Sequence, residues 1–114
     1  MRTILFHMTL KEGSEAAFED IARRFTETTH AQDGGCISYV FYRRADKPLE
    51  TLLYEQWSDA DALSAHIQRL RRDYGPPDDD ETLPERHFRR LLPKVFVDLL
   101  ADGQVVRYKA LLPD

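Results

Sequence analysis

Four histidines, one tryptophan and one cysteine are the residues of this 114-residue chain best suited to proton transfer, aromatic binding or nucleophilic chemistry. His66 is the most informative of them, because it lies beside Ile67 in a helical row of apolar residues. A histidine in that environment either hydrogen-bonds within the core or faces a cavity, where it can act as a base near neutral pH. Trp57 at a strand end either closes the core or forms a wall of the same cavity.

The other candidate residues give weaker indications of chemistry. His7 lies on the first predicted strand, where its side chain faces either the helices or a dimer interface, and His87 directly precedes Phe88. His30 falls near a helix end, where the helix dipole favours it without any function. Cys36 has no neighbour in sequence that would activate it. The chain has no glycine-rich phosphate loop, zinc-ligand spacing or Ser-His-Asp set, so we predict neither a metal nor a bound cofactor.

The elements that must position these side chains follow from apolar periodicity and turn residues. Two helices are predicted to begin at Ser14 and Ser58 as N-caps. A third is predicted to begin at a capping box of Thr82 and Glu85, and Pro93 should kink or split this helix. The acidic run 78–81 is predicted to be a solvated loop. The predicted strands are 3–10, 36–43, 50–57 and 104–112, the middle two forming a hairpin, and the second helix covers 59–74.

The element order β-α-β-β-α-α-β predicts an α+β, ferredoxin-like sandwich, with a four-stranded antiparallel sheet and the helices on one face. We predict a single domain over residues 1–114. The strands carry apolar residues at both parities, which helices on one face cannot all cover. A homodimer through the sheet faces is therefore predicted, with Tyr39 or Tyr42 in aromatic contact at or near the interface.

Composition narrows the classes of partner and compartment. Sixteen basic against twenty acidic residues give a net charge of −4, which does not favour nucleic-acid binding. No apolar segment approaches the ~20 residues needed to cross a membrane. One cysteine excludes an internal disulfide, and the first residues lack the pattern of a secretion signal. We expect a soluble cytoplasmic protein.

Several segments, in their order along the chain, resemble the antibiotic biosynthesis monooxygenase family. Glu55-Gln56-Trp57 followed by Ala62-Leu63-Ser64-Ala65-His66 gives the strongest resemblance. The segment from Gly35 to Tyr39 and the pair His87-Phe88 add to it. The resemblance implies a ferredoxin-like unit that pairs into a dimeric α+β barrel. The segment between the helix histidine and the His-Phe pair is longer than is usual in the family.

The family is functionally mixed, so the resemblance leaves several activities open. Some members oxidise aromatic or quinol substrates with dioxygen and no bound cofactor, some degrade haem, and some isomerise small metabolites. The three positions that haem-degrading members require hold Phe6, His66 and Leu92 here, which argues against haem. Quinone-forming members use a tryptophan at the position of Trp57. The asparagine and tyrosine that accompany it in their active sites are replaced here by Leu53 and Leu63.

The leading hypothesis is a cofactor-independent monooxygenase-like enzyme that acts on a small aromatic or quinol-type substrate. His66 would be the base, with Trp57 as the second catalytic residue. The residues predicted to bind substrate are Phe6, His7, Leu53, Leu63 and His87. A non-catalytic dimeric module that binds a small ligand is the first alternative, favoured by the leucines at two catalytic positions. A small-metabolite isomerase, with histidines as proton shuttles, is the second.

Overall fold

A computed structural model describes residues 1–112. The strands are β1 (Arg2–Leu10), β2 (Cys36–Arg43), β3 (Glu50–Trp57) and β4 (Leu100–Tyr108). The helices are α1 (Glu15–Gln32), α2 (Ala60–Tyr74) and the short α3 (Lys94–Val97), with a 3-10 helix over Phe88–Arg90. Within these residues no helix has the length and apolarity needed to cross a membrane.

The four strands form one antiparallel sheet in the order β2-β3-β1-β4. The two central strands are therefore β1 and β3, and the predicted hairpin of β2 with β3 is confirmed. This order, with the helices on one face, is the ferredoxin-like α+β sandwich that the element order predicted.

The helical face of the sheet carries the core because alternate strand residues point to it. On β1 these residues are Ile4, Phe6, Met8 and Leu10, and on β3 they are Thr51, Leu53, Glu55 and Trp57. They pack against the apolar side of α1, whose Phe18, Ala22 and Phe25 are buried. A polar threonine, a glutamate and a tryptophan thus share the buried face of β3 with Leu53.

The opposite face of the sheet is open within one chain. Val40 and Tyr42 on β2 and Tyr108 on β4 are 37%, 56% and 46% exposed. Of the two tyrosines predicted near a dimer interface, Tyr42 lies on this open face. Tyr39 does not, because its parity turns it to the helical side, where it is buried among aromatic rings.

Two predicted helix caps are wrong in detail. The N-cap of α2 is Asp59 rather than Ser58, and its carboxylate accepts a hydrogen bond from the Ala62 N–H at 2.8 Å. Ser14 does occupy the N-cap position of α1, but its hydroxyl donates to the carbonyls of Lys11 and Leu99 instead of capping the helix. Ser14 thereby ties the β1–α1 turn to the segment that precedes β4.

The C-terminal third differs most from the prediction. Thr82 makes no capping box with Glu85; its N–H and hydroxyl both donate to Asp80, and no helix follows directly. The break at Pro93 is confirmed, because a 3-10 helix precedes it and α3 follows it. Val95 belongs to the run of apolar residues around Pro93, but it is 53% exposed. The last strand ends at Tyr108 and begins at Leu100, four residues before the predicted start.

Candidate active site

A cavity of about 80 Å³ lies between the sheet and α2. The side chains that line it are almost all apolar, apart from one glutamate, one histidine and one tyrosine. They come from all four strands, from α2 and from the segment before α3. The lining residues are Ile4, Phe6, Tyr39, Leu53, Glu55, Leu63, His66, Ile67, Leu91, Leu92 and Val105. An apolar pocket with a few converging polar groups is the usual form of a small-molecule site.

His66 is 2% exposed and is oriented by a carboxylate from a distant loop. Its Nδ1 lies 2.6 Å from Oδ2 of Asp33, the residue that follows α1. Because a carboxylate only accepts, Nδ1 carries the hydrogen and donates it, which leaves a lone pair on Nε2. This is the arrangement by which a carboxylate fixes the tautomer of a catalytic histidine.

Gly35 brings the Asp33 loop close to α2. Its φ of +81° lies in the left-handed region that favours glycine. A Cβ there would lie 2.6 Å from Ser58 Oγ and 2.7 Å from Ala62 Cβ. The Ser58 N–H also donates to the Gly35 carbonyl at 2.8 Å. The loop therefore packs directly against the start of α2. This close packing brings Asp33 within hydrogen-bonding distance of His66.

Arg69, one turn beyond His66 on α2, holds Asp33 in place. Its Nε and Nη2 donate to the two oxygens of Asp33 at 2.5 and 2.9 Å, a bidentate pair. The same guanidinium donates to Thr29 and to Asp73, so each of its nitrogens has a partner. Asp33 is thus fixed from two sides, and its orientation of His66 does not depend on solvent.

Glu55 is the second titratable group on the cavity wall, and it is 7% exposed. Burial raises the pKa of its carboxyl from 4.5 to about 7, although the hydrogen bond from Trp57 Nε1–H, at 3.1 Å, works in the opposite direction. The same carboxylate oxygen lies 3.8 Å from His66 Nε2. A carboxyl that titrates near neutrality therefore stands next to the free nitrogen of the histidine.

The pKa of His66 is lowered, chiefly because burial disfavours the imidazolium, while Asp33 partly offsets that effect. A neutral imidazole with a free Nε2 can accept a proton from a bound molecule, and Asp33 then stabilises the cation that forms. Glu55, with a pKa of about 7, can take up or release a proton near neutral pH. Within residues 1–112, no group of three or more His, Cys, Asp or Glu side chains is arranged to hold a metal ion.

Aromatic rings support His66 from behind. The Trp57 ring centroid lies 4.4 Å from that of His66, at an angle of 35° between the planes, and Trp57 is fully buried. Tyr39 meets His66 edge-on at 5.2 Å. Burial raises the pKa of Tyr39 well above its ordinary value, which keeps the phenol protonated. These contacts restrict the imidazole to a single orientation.

The structure brings some of the predicted site residues together and leaves others outside. His66 lines the cavity together with Phe6, Leu53 and Leu63. Trp57 stands one layer behind the wall, in contact with His66 and Glu55.

The remaining two histidines of the predicted set lie elsewhere. His7 is exposed on the open face of the sheet, near Tyr42 and Leu52. His87 stacks on Phe88 at 4.6 Å and accepts a hydrogen bond from the Arg89 N–H. Neither histidine lines the cavity.

Sequence reasoning missed three polar residues of the site. Glu55 belongs to the Glu-x-Trp segment and shares the buried parity of Leu53 and Trp57, so its inward position could have been found from the strand pattern. Asp33 lies directly after α1, and no local sequence pattern connects it to its partner His66, which is 33 residues away. Arg69 is a charged residue that no sequence pattern singled out, yet it is 5% exposed.

Comparison with known proteins agrees with this architecture. A crystal structure described as an antibiotic biosynthesis monooxygenase superposes with a TM-score of 0.70 at 21% identity, covering 98% of this chain and 100% of the other. A conserved protein from Methanosarcina mazei Go1 superposes with a TM-score of 0.68 at 19% sequence identity, covering 95% of this chain and 90% of the other. A protein from Pseudomonas aeruginosa superposes with a TM-score of 0.66 at 17% sequence identity, covering 97% of this chain and 94% of the other. These similarities show the fold.

Sequence comparison identifies the family. Among curated proteins there is no significant match. The sequence profile of the family described as antibiotic biosynthesis monooxygenase matches residues 1–73, which is more than half of the chain and includes His66, Glu55 and Asp33. This chain therefore belongs to the antibiotic biosynthesis monooxygenase family.

Proposed function

We propose that the chain is a cofactor-independent monooxygenase-like enzyme that acts on a small aromatic or quinol-type molecule in the cavity beside His66. The observation that carries the proposal is the pairing of a carboxylate-oriented histidine with a buried carboxyl on the wall of an otherwise apolar cavity. Family membership supports it. The chemistry needs only a base, a dry environment and an electron-rich substrate.

The proposed reaction balances without a bound cofactor. A ring carbon or phenol of the substrate loses a proton to His66 Nε2, and the resulting anion gives one electron to dioxygen. Superoxide and the substrate radical combine, and His66 returns its proton to the peroxide oxygen. Elimination of water from the hydroperoxide leaves a carbonyl, so one oxygen atom enters the product and the other leaves as water. In this scheme Glu55, with a pKa of about 7, accepts the proton that leaves the carbon bearing the hydroperoxide.

The cavity supports a small substrate. About 80 Å³ is well below the roughly 300–1,000 Å³ of typical ligand pockets. Leu91 and Leu92 form one wall, and they belong to the irregular stretch between the 3-10 helix and α3. We expect a single-ring substrate that displaces this wall, because the sheet and α2 form the rest of the lining.

A homodimer through the open sheet face belongs to the same proposal. Val40 and Tyr42 at one edge of the sheet and Tyr108 at the other edge are exposed apolar or aromatic side chains on the side away from the helices. Covering it would bury roughly 800 Å² per subunit, the size of a standard stable interface. Sedimentation equilibrium at micromolar concentration should give twice the chain mass, and a monomer there would contradict the dimer.

The direct test of the reaction is oxygen uptake with a panel of hydroquinones, phenols and enolisable metabolites, followed by product analysis after labelling with ¹⁸O₂. A monooxygenase places one labelled atom in the product and one in water. Formation of hydrogen peroxide with an unlabelled quinone would instead indicate a simple oxidase. No oxygen uptake with any member of the panel would contradict the proposal.

A proton-transfer enzyme that consumes no oxygen is the second candidate. His66 and Glu55 stand 3.8 Å apart on one wall, a geometry suited to moving a proton between two carbons of an enolisable substrate. Exchange of substrate hydrogens with deuterated water, in the absence of oxygen uptake, would favour this isomerase. A non-catalytic ligand-binding module, favoured by Leu53 and Leu63, would show binding with neither reaction.

A further inference from the structure

Three arginines converge on a groove that adjoins the cavity. The groove has a volume of about 320 Å³, and its lining is entirely cationic or apolar. Its residues are Arg2, Ile4, Arg86, Leu91, Val105 and Arg107. Ile4, Leu91 and Val105 also line the cavity, so the groove and the cavity share one wall.

The strand register explains why the arginines meet there. Arg107 on β4 is paired with Ile4 on β1, and Arg2 lies two residues before Ile4 on the same face of β1. Diagonal neighbours of this kind are within reach of long side chains. Arg86 comes from the segment before the 3-10 helix, on the side of Leu91.

These arginines differ from the others in having no partner among residues 1–112. Seven of the remaining nine form ion pairs with carboxylates, and Arg71 and Arg90 donate to backbone carbonyls. Arg2, Arg86 and Arg107 make neither kind of contact in the described part of the chain. Three guanidinium groups without an acidic partner in the described residues give this groove a local positive potential that attracts an anion, although the net charge of the chain is −4.

We propose that this groove binds an anionic substituent of the substrate, a carboxylate or a phosphate, while the aromatic ring occupies the cavity. The guanidinium groups offer fork-shaped donors that match both anions. The inference rests on the proposed function for the location of the ring, and it adds the substrate class: an aromatic acid or aryl phosphate rather than a neutral phenol. Arg2, Arg86 and Arg107 would determine this specificity.

Isothermal titration tests the groove without requiring turnover. The probes are 4-hydroxybenzoate, 4-hydroxyphenyl phosphate and the neutral methyl 4-hydroxybenzoate. In the wild type we expect at least one anionic probe to bind roughly tenfold or more tighter than the ester. Whichever anion shows the larger ratio identifies the substituent. Equal affinities of acid, phosphate and ester, or no binding of either anion, would overturn the proposal.

Two triple variants with the same change in net charge separate the groove from the general field of the protein. Arg2→Gln, Arg86→Gln and Arg107→Gln together should abolish the preference for the anion. The control combines Arg23→Gln, Arg24→Gln and Arg72→Gln, whose side chains are 61%, 64% and 69% exposed on α1 and α2. The control variant should keep the preference for the anionic probe. An equal loss of that preference in both triple variants would refute a local site. If the wild-type protein consumes no oxygen with any substrate of the panel but still prefers the anionic probe, the result contradicts the proposed oxygenase activity and leaves the anion site standing.

Discussion

Glu55→Gln gives the most quantitative test of the buried carboxyl. The folded protein raises the pKa of Glu55 from 4.5 to about 7, so it retains a proton that the unfolded chain releases in that window. The free energy of unfolding therefore falls by about 1.4 kcal/mol for each pH unit between those two values, and the loss approaches about 3 kcal/mol above pH 7. The glutamine variant has no such proton to lose.

The comparison between the two proteins isolates this effect. His66 acts in the opposite direction, because its lowered pKa removes stability as the pH falls, and it is present in both proteins. Relative to wild type, Glu55→Gln should therefore gain roughly 2.5 kcal/mol of stability between about pH 5 and pH 8. The glutamine oxygen can still accept the hydrogen bond from Trp57.

Urea unfolding followed by the fluorescence of Trp57, the only tryptophan and fully buried, measures the difference at each pH. Glu12→Gln, at an exposed turn, is the matched control and should reproduce the wild-type pH profile. If the stability difference between Glu55→Gln and wild type stays constant within about 1 kcal/mol across this range, the raised pKa of Glu55 is wrong.

The remaining predictions concern the loop, the orienting carboxylate and the open face. Gly35→Ala should lower the unfolding free energy by roughly 2–4 kcal/mol, whereas Gly34→Ala, with nothing within 4 Å of its Cβ, should change it little; equal effects would refute the packing argument. Asp33→Asn should reduce turnover about a hundredfold and move the acid limb of the pH–rate profile to lower pH, because Asp33 raises the pKa of His66; an unmoved limb would contradict this role. Tyr42→Lys should give a monomer in sedimentation equilibrium, and an intact dimer would exclude the open face as the interface.

The sheet was predictable from the sequence, and the C-terminal helices were not. β2 and β3 begin and end as predicted, because turn residues bound both and their apolar parity is clear. The segment around Pro93 has an apolar row that suits a helix, but a 3-10 turn and the pairing of Arg89 with Asp78 and Asp98 replace it. Local ion pairs of this kind leave no periodic trace in a sequence.

The candidate site was predictable only where a regular element carries the residue. His66, Leu53 and Phe6 meet because helix and strand periodicity point them to one side. Asp33 lies in a loop, and its contact with His66 depends on the packing of Gly35 against α2, which is a tertiary contact. The loop residue that orients the buried histidine is therefore the part of this site that a single sequence does not reveal.

Oxygen uptake by His66→Ala tests the central claim most directly. The variant is measured with the most active substrate of the panel, after circular dichroism and sedimentation show that it is folded and assembled as the wild type. His30→Ala, an exposed histidine in the last turn of α1, is the control. We predict that His66→Ala lowers the rate by about a hundredfold or more while His30→Ala keeps the wild-type rate. A wild-type rate in folded His66→Ala would contradict a proton transfer to His66.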